Sequence, residues 1–210
     1  MRGPLHCSAF LLGTLLVASA ALATDTATSS RDLAGLAPHA GLSCEACHTD
    51  AAPSPDGERP RVLPASDPES SVHRDRVAET CGACHVPALE AFSGGIHGTR
   101  LAEGSAFAPT CTDCHDVNGL LAEGRHLART APDKVVFTCA ECHEDPAVTR
   151  GTDLDGAVVE SYERTFHGIA YAHGVTDVAT CVSCHGAHDV LPSADPAART
   201  HGSNVETTCR

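Results

Sequence analysis

The sequence predicts a mainly α fold with extensive coil and little or no β, its interior filled by something other than bulky side chains. Three observations carry that reading. The 210 residues include no Trp, two Tyr, five Phe and one Met, so the usual core-formers are nearly missing. Eighteen Gly and thirteen Pro imply many turns and short elements. Twelve Cys and fourteen His are the conspicuous residue types. A chain this poor in large apolar groups cannot bury enough surface to offset the entropy of ordering itself. The cysteines and histidines must therefore organise it.

Residues 1–23 read as an export signal. Arg2 supplies the positive start, and the apolar run from Phe10 to Leu22 is too short for a bilayer span. Ala21-Leu22-Ala23 offers a small-residue cleavage site that leaves Thr24 first. Cys7 precedes the run and departs with it; a retained N-terminal anchor is the competing reading. Export delivers the chain to an oxidising compartment, where cysteines ordinarily pair.

The remaining cysteines fall into a pattern: Cys44-Glu-Ala-Cys47-His48, Cys81-Gly-Ala-Cys84-His85, Cys111-Thr-Asp-Cys114-His115, Cys139-Ala-Glu-Cys142-His143 and Cys181-Val-Ser-Cys184-His185. Each is C-x-x-C-H, the attachment pattern for c-type haem. Two thiols three positions apart reach two vinyl groups of one porphyrin, and the next residue offers an imidazole to the iron. Local disulfides or zinc sites would use the cysteines but do not require His directly after the second one. The fold expected is haem-nucleated. A first haem segment spans 24–50, a linker with five Pro spans 51–68, and a four-motif repeat region spans 69–210.

Internal repeats organise that region. His97-Gly98, Ala102, Gly104, Thr110-Cys111 and Cys114-His115 return seventy residues later as His167-Gly168, Ala172, Gly174, Thr180-Cys181 and Cys184-His185. A second unit, Asp67-Pro68, His73, Val77, Thr80-Cys81, recurs as Asp195-Pro196, His201, Val205, Thr208-Cys209, with Val135, Thr138 and Cys139 as a partial copy. Cys209 thus stands where a sixth motif would open, and a truncated parent chain is expected on that ground.

Haem iron takes Met or a second His opposite the motif His. The single Met is Met1, so histidine is the available ligand. The repeat positions favour His73, His97, His167 and His201; His188, close behind the fifth motif, and His126 follow. His39 and His173 rank lower, as polar loop histidines are usually solvated. Ligands in surplus favour six-coordinate irons and an electron carrier. The competing class is a catalytic oxidoreductase that acts on a small nitrogen or sulfur compound at an open haem.

The chain resembles the periplasmic multihaem cytochromes c of bacterial anaerobic respiration, which carry strings of C-x-x-C-H with H-G elements. The resemblance implies bis-His haems packed near one another and helical connecting segments. It also implies electron exchange with a quinol-oxidising membrane cytochrome or a terminal reductase. Between motifs, helices are expected from Pro87 to Ser93, with Pro in the first turn, and from a cap at Asp155 through Phe166. The second would group Val158, Val159, Tyr162 and Phe166 and deliver His167 at its end. A net charge of −13 disfavours nucleic-acid binding and suits docking to a basic redox partner.

Overall fold

The computed structural model describes residues 39, 42–55, 57, 60–116 and 128–210. The expected export signal over residues 1–23, Cys7 and His126 lie outside the described residues. Among those described, the chain is a string of short helices. A 3-10 turn at Cys44–Ala46 is followed by α1 (Val77–Gly82), α2 (Val86–Gly94), α3 (Ile96–Ala102), α4 (Cys111–Cys114) and α5 (Val135–His143). Then come α6 (Pro146–Gly151), α7 (Val158–Glu163), α8 (Phe166–Ala172), α9 (Cys181–His185) and α10 (Val205–Thr208). The β structure among the described residues is one isolated antiparallel bridge between Ala52 and Arg61. None of the described helices is long and apolar enough to cross a membrane.

The seventy-residue sequence repeat is a structural repeat. Helices α2 and α3 form a tight hairpin, and α7 and α8 form another. Each crossing needs glycine after the histidine. A Cβ on Gly98 would lie 2.1 Å from the Phe92 carbonyl oxygen, and one on Gly168 would lie 2.3 Å from that of Tyr162. Both second helices end the same way, on Gly104 at φ 79° and Gly174 at φ 84°. Ser105 N donates to Arg100 O at 3.0 Å and Val175 N to Ala170 O at 3.1 Å, closing the last turn.

Helix α2 covers the stretch expected from Pro87, extended by one residue at each end. The helix expected from Asp155 through Phe166 is broken instead. Asp155 accepts from Ala157 N ahead of α7 rather than capping it, and α7 stops at Glu163. Thr165 causes the break. Its hydroxyl donates to Tyr162 O at 2.6 Å, ending one helix, and accepts from Gly168 N at 3.1 Å, capping the next. His167 therefore lies in the first turn of α8. Phe166 points to solvent at 79% exposure, while Val159 alone of the expected apolar face is buried.

The interior is sparse. Among the described residues the buried apolar side chains are all Val or Ala: Val77, Ala108, Ala128, Ala131, Val135, Val136, Val159 and Ala198. The larger apolar groups lie open, including Phe137, Phe166 and Ile169. Protein atoms alone thus provide little of the burial that ordinarily stabilises a domain.

Candidate metal centre

The motifs come in two alternating kinds. In the first, a hydroxyl residue directly before the first Cys opens the helix. Thr110 and Thr180 are buried caps, whose backbone N–H groups donate to Asp113 Oδ2 at 2.7 Å and Ser183 Oγ at 3.0 Å. Each thus forms a capping box around its own motif. Ser43 holds the corresponding place before Cys44. In the second kind the helix starts four residues before the Cys, at Val77, Val135 or Val205. The preceding threonine then bonds backwards: Thr80 to Ser71 O at 2.6 Å, Thr138 to Arg129 O at 2.8 Å and Thr208 to Arg199 O at 2.8 Å.

Ser71 and Arg199 reach the tail of the preceding motif, whereas Arg129 pairs with Glu141 inside the following one. Ser71 Oγ lies 3.0 Å from Cys47 O, accepts from Thr49 N at 3.0 Å and donates to Asp50, which also accepts from Ser71 N at 2.9 Å. Asp50 also takes the Leu63 N–H at 2.8 Å, which folds the Pro-rich stretch back onto the first motif. The Ser71 hydroxyl, then the Leu63 and Ser71 amides, hold the Asp50 carboxyl well below its ordinary range. Arg199 pairs with Asp189 at 3.2 Å, just after the fifth motif.

Successive motifs are neighbours in chain order. Burial and then the Cys81 and Cys84 thiols push the Cys47 thiol up. Cys81 donates to Cys111, which lowers the Cys111 thiol to about 7; Cys139 and Cys181 repeat the arrangement, with Cys181 at about 7. Burial, then Asp113 and the Cys142 thiol, raise the Cys114 thiol.

Three motif histidines each face a histidine from elsewhere. His85 Nε2 lies 3.5 Å from His39 Nε2, with ring centroids 5.7 Å apart. His143 faces His97 at 6.3 Å between centroids, and His115 faces His188 at 6.0 Å. Desolvation, then His143, pushes His97 down; desolvation, then His185, pushes His143 down; desolvation lowers His185. Depression keeps these imidazoles neutral, the form whose nitrogen lone pair can ligate a metal. His48 Nδ1 and His39 Nδ1 are buried without a partner.

The candidate ligands thus divide. His97 and His188 meet motif histidines. His73 and His201 each meet the residue two places on, with Nδ1 3.6 Å from Asp75 Oδ2 and 2.7 Å from Ser203 Oγ respectively. His167 packs its ring on Phe166, and His173 closes the end of α8. His126 is outside the described residues. His39, ranked low, is one of the paired set. Spacing is the signal that identifies it: His39 and His85 are 46 residues apart, as are His97 and His143.

Among the described residues no three His, Cys, Asp or Glu side chains converge as a bare metal-ion site would require. The arrangement is one of opposed pairs. A first-row metal bonds imidazole at about 2 Å, so two such bonds span about 4 Å, close to the 3.5 Å between His39 and His85. The donor set fits a metal whose remaining ligands come from a macrocycle. No family model, curated protein or solved structure matches the chain.

Proposed function

We propose that the chain attaches five haems c and carries electrons between periplasmic or membrane redox partners. The attachment cysteines are Cys44 and Cys47, Cys81 and Cys84, Cys111 and Cys114, Cys139 and Cys142, and Cys181 and Cys184. His48, His85, His115, His143 and His185 are the proximal ligands. The observation that carries the reading is His39 against His85: a C-x-x-C-H histidine opposed, nitrogen to nitrogen, by a distant second imidazole. Haem supplies one-electron redox chemistry when bound, and its potential follows its axial ligands.

The protein's own residues do the rest. The imidazoles opposed to His85, His115 and His143 would hold the second ligand place of a bound haem, which favours electron transfer over substrate binding. Neighbouring motifs in chain order suit passage of electrons along the molecule. Open Phe137 and Phe166, on or beside ligand-bearing helices, are apolar surface that a porphyrin could cover. The acidic surface fits transient, salt-sensitive docking to a basic partner.

The test is expression with a c-type maturation system, followed by haem counting and peptide mass spectrometry. The reading predicts five covalent haems per chain, one on each C-x-x-C-H peptide. Unmodified thiols, bound zinc or disulfides within the motifs would reject it.

A further inference from the structure

We propose that His73 and His201 complete the axial pairs of His48 and His185, and that His188 crosses to His115 because Ala131 interrupts the repeat. The inference rests on the haem reading above and assigns partners within it. His73, Ala131 and His201 occupy one structural position. Their amides donate to the carbonyls of Ser70, Ala128 and Ala198, each at 3.0 Å, and all three acceptor residues are buried. The threonine seven positions on returns its hydroxyl to the residue two before, in all three copies.

In the outer copies the residue two before this position contacts the tail of the preceding motif. Ser71 meets Cys47 O and Thr49 N on either side of His48. Arg199 reaches Asp189, and its Nε would lie 3.4 Å from a Cβ on Gly186, the residue after His185. In the middle copy Arg129 pairs instead with Glu141, inside the fourth motif. In the outer copies the residue two places on lies at Nδ1: Asp75 N and Ser203 N each donate to it at 3.3 Å, and Ser203 Oγ lies 2.7 Å from Nδ1 of His201.

The middle copy has no nitrogen to offer, since Ala131 is a methyl group at 1% exposure. His115 finds His188 instead. That segment is fixed by Ile96 N, which donates to Val190 O at 2.7 Å at the start of α3. One substitution in the repeat and one long-range crossover thus account for each other.

The experiment is EPR and visible spectroscopy on the matured holoprotein and its variants, with haem counted in every sample. His73→Ala, His201→Ala and His188→Ala should each turn one of the five irons high-spin. Adding Ala131→His to His188→Ala should return that iron to low spin. Either His73→Ala or His201→Ala leaving all irons low-spin would overturn the assignment. So would a fully haem-loaded double variant that stays high-spin. If the double variant fails to load, the three single variants decide. Fewer than five haems in the unaltered protein would instead remove the haem reading itself.

Discussion

His39 and His85 present Nε2 to one another at 3.5 Å across 46 residues of chain. His97 and His143 repeat the relationship with the same separation in sequence. In both pairs a histidine ahead of one motif reaches past it to the next. The segment between is thereby closed into a loop by the facing imidazoles, so haem attachment at the second motif would be tied to order in the first.

Two histidines in identical sequence settings should therefore behave differently. His97→Ala should convert one iron from low to high spin, because it removes the partner of His143. His167→Ala should leave all five unchanged, since the ring that His167 meets is Phe166 and not a motif histidine. Visible and EPR spectra of the two holoproteins check this; a high-spin iron in His167→Ala would break the pairing rule.

The glycine after His97 gives a second prediction. Gly98→Ala drives a Cβ to 2.1 Å from the Phe92 carbonyl, which is backbone and cannot rotate away. Overpacking of this kind costs about 1–3 kcal/mol. A lowered melting temperature with partial high-spin character is expected, whereas unchanged stability would mean that the α2–α3 hairpin is looser than described.

The buried caps give a third. Thr180→Ala removes the hydroxyl from the capping box around Cys181, and a lost cap costs about 1 kcal/mol. Thr180→Ser should retain most of that. Thermal melts of the two holoproteins should differ by about 2–4 °C, with Ser the more stable.

Asp50 sets a pH dependence. Its folded value is depressed, so its contribution is complete above the ordinary carboxylate value of about 3.9 and is lost as pH falls through the folded one. The stability difference between wild type and Asp50→Asn should therefore be flat near neutral pH and shrink in acid. Melting midpoints of both proteins across that range check the sign; a difference that grows in acid would contradict it.

The five C-x-x-C-H copies are legible because the motif is local and each copy repeats it. Helix α2 was legible from Pro87, whose fixed φ suits a first turn. The break before α8 was not, because the apolar spacing of Val158, Val159, Tyr162 and Phe166 runs straight through it. What decides there is one hydroxyl, Thr165, serving two helices at once. His39 was obscured because its neighbours share no letters with those of His97. The common separation of 46 residues lay in the sequence, but only the opposed rings give it meaning. The crossover of His188 depends on the Ile96–Val190 bond between distant segments, which no local pattern encodes.

The most direct test of the central claim is low-temperature EPR on the oxidised, matured protein, with haem counted in the same sample. The account predicts five covalent haems, all low-spin. A stoichiometric high-spin signal that shifts on adding nitrite, hydroxylamine or sulfite would contradict it and make the protein an oxidoreductase with an open iron.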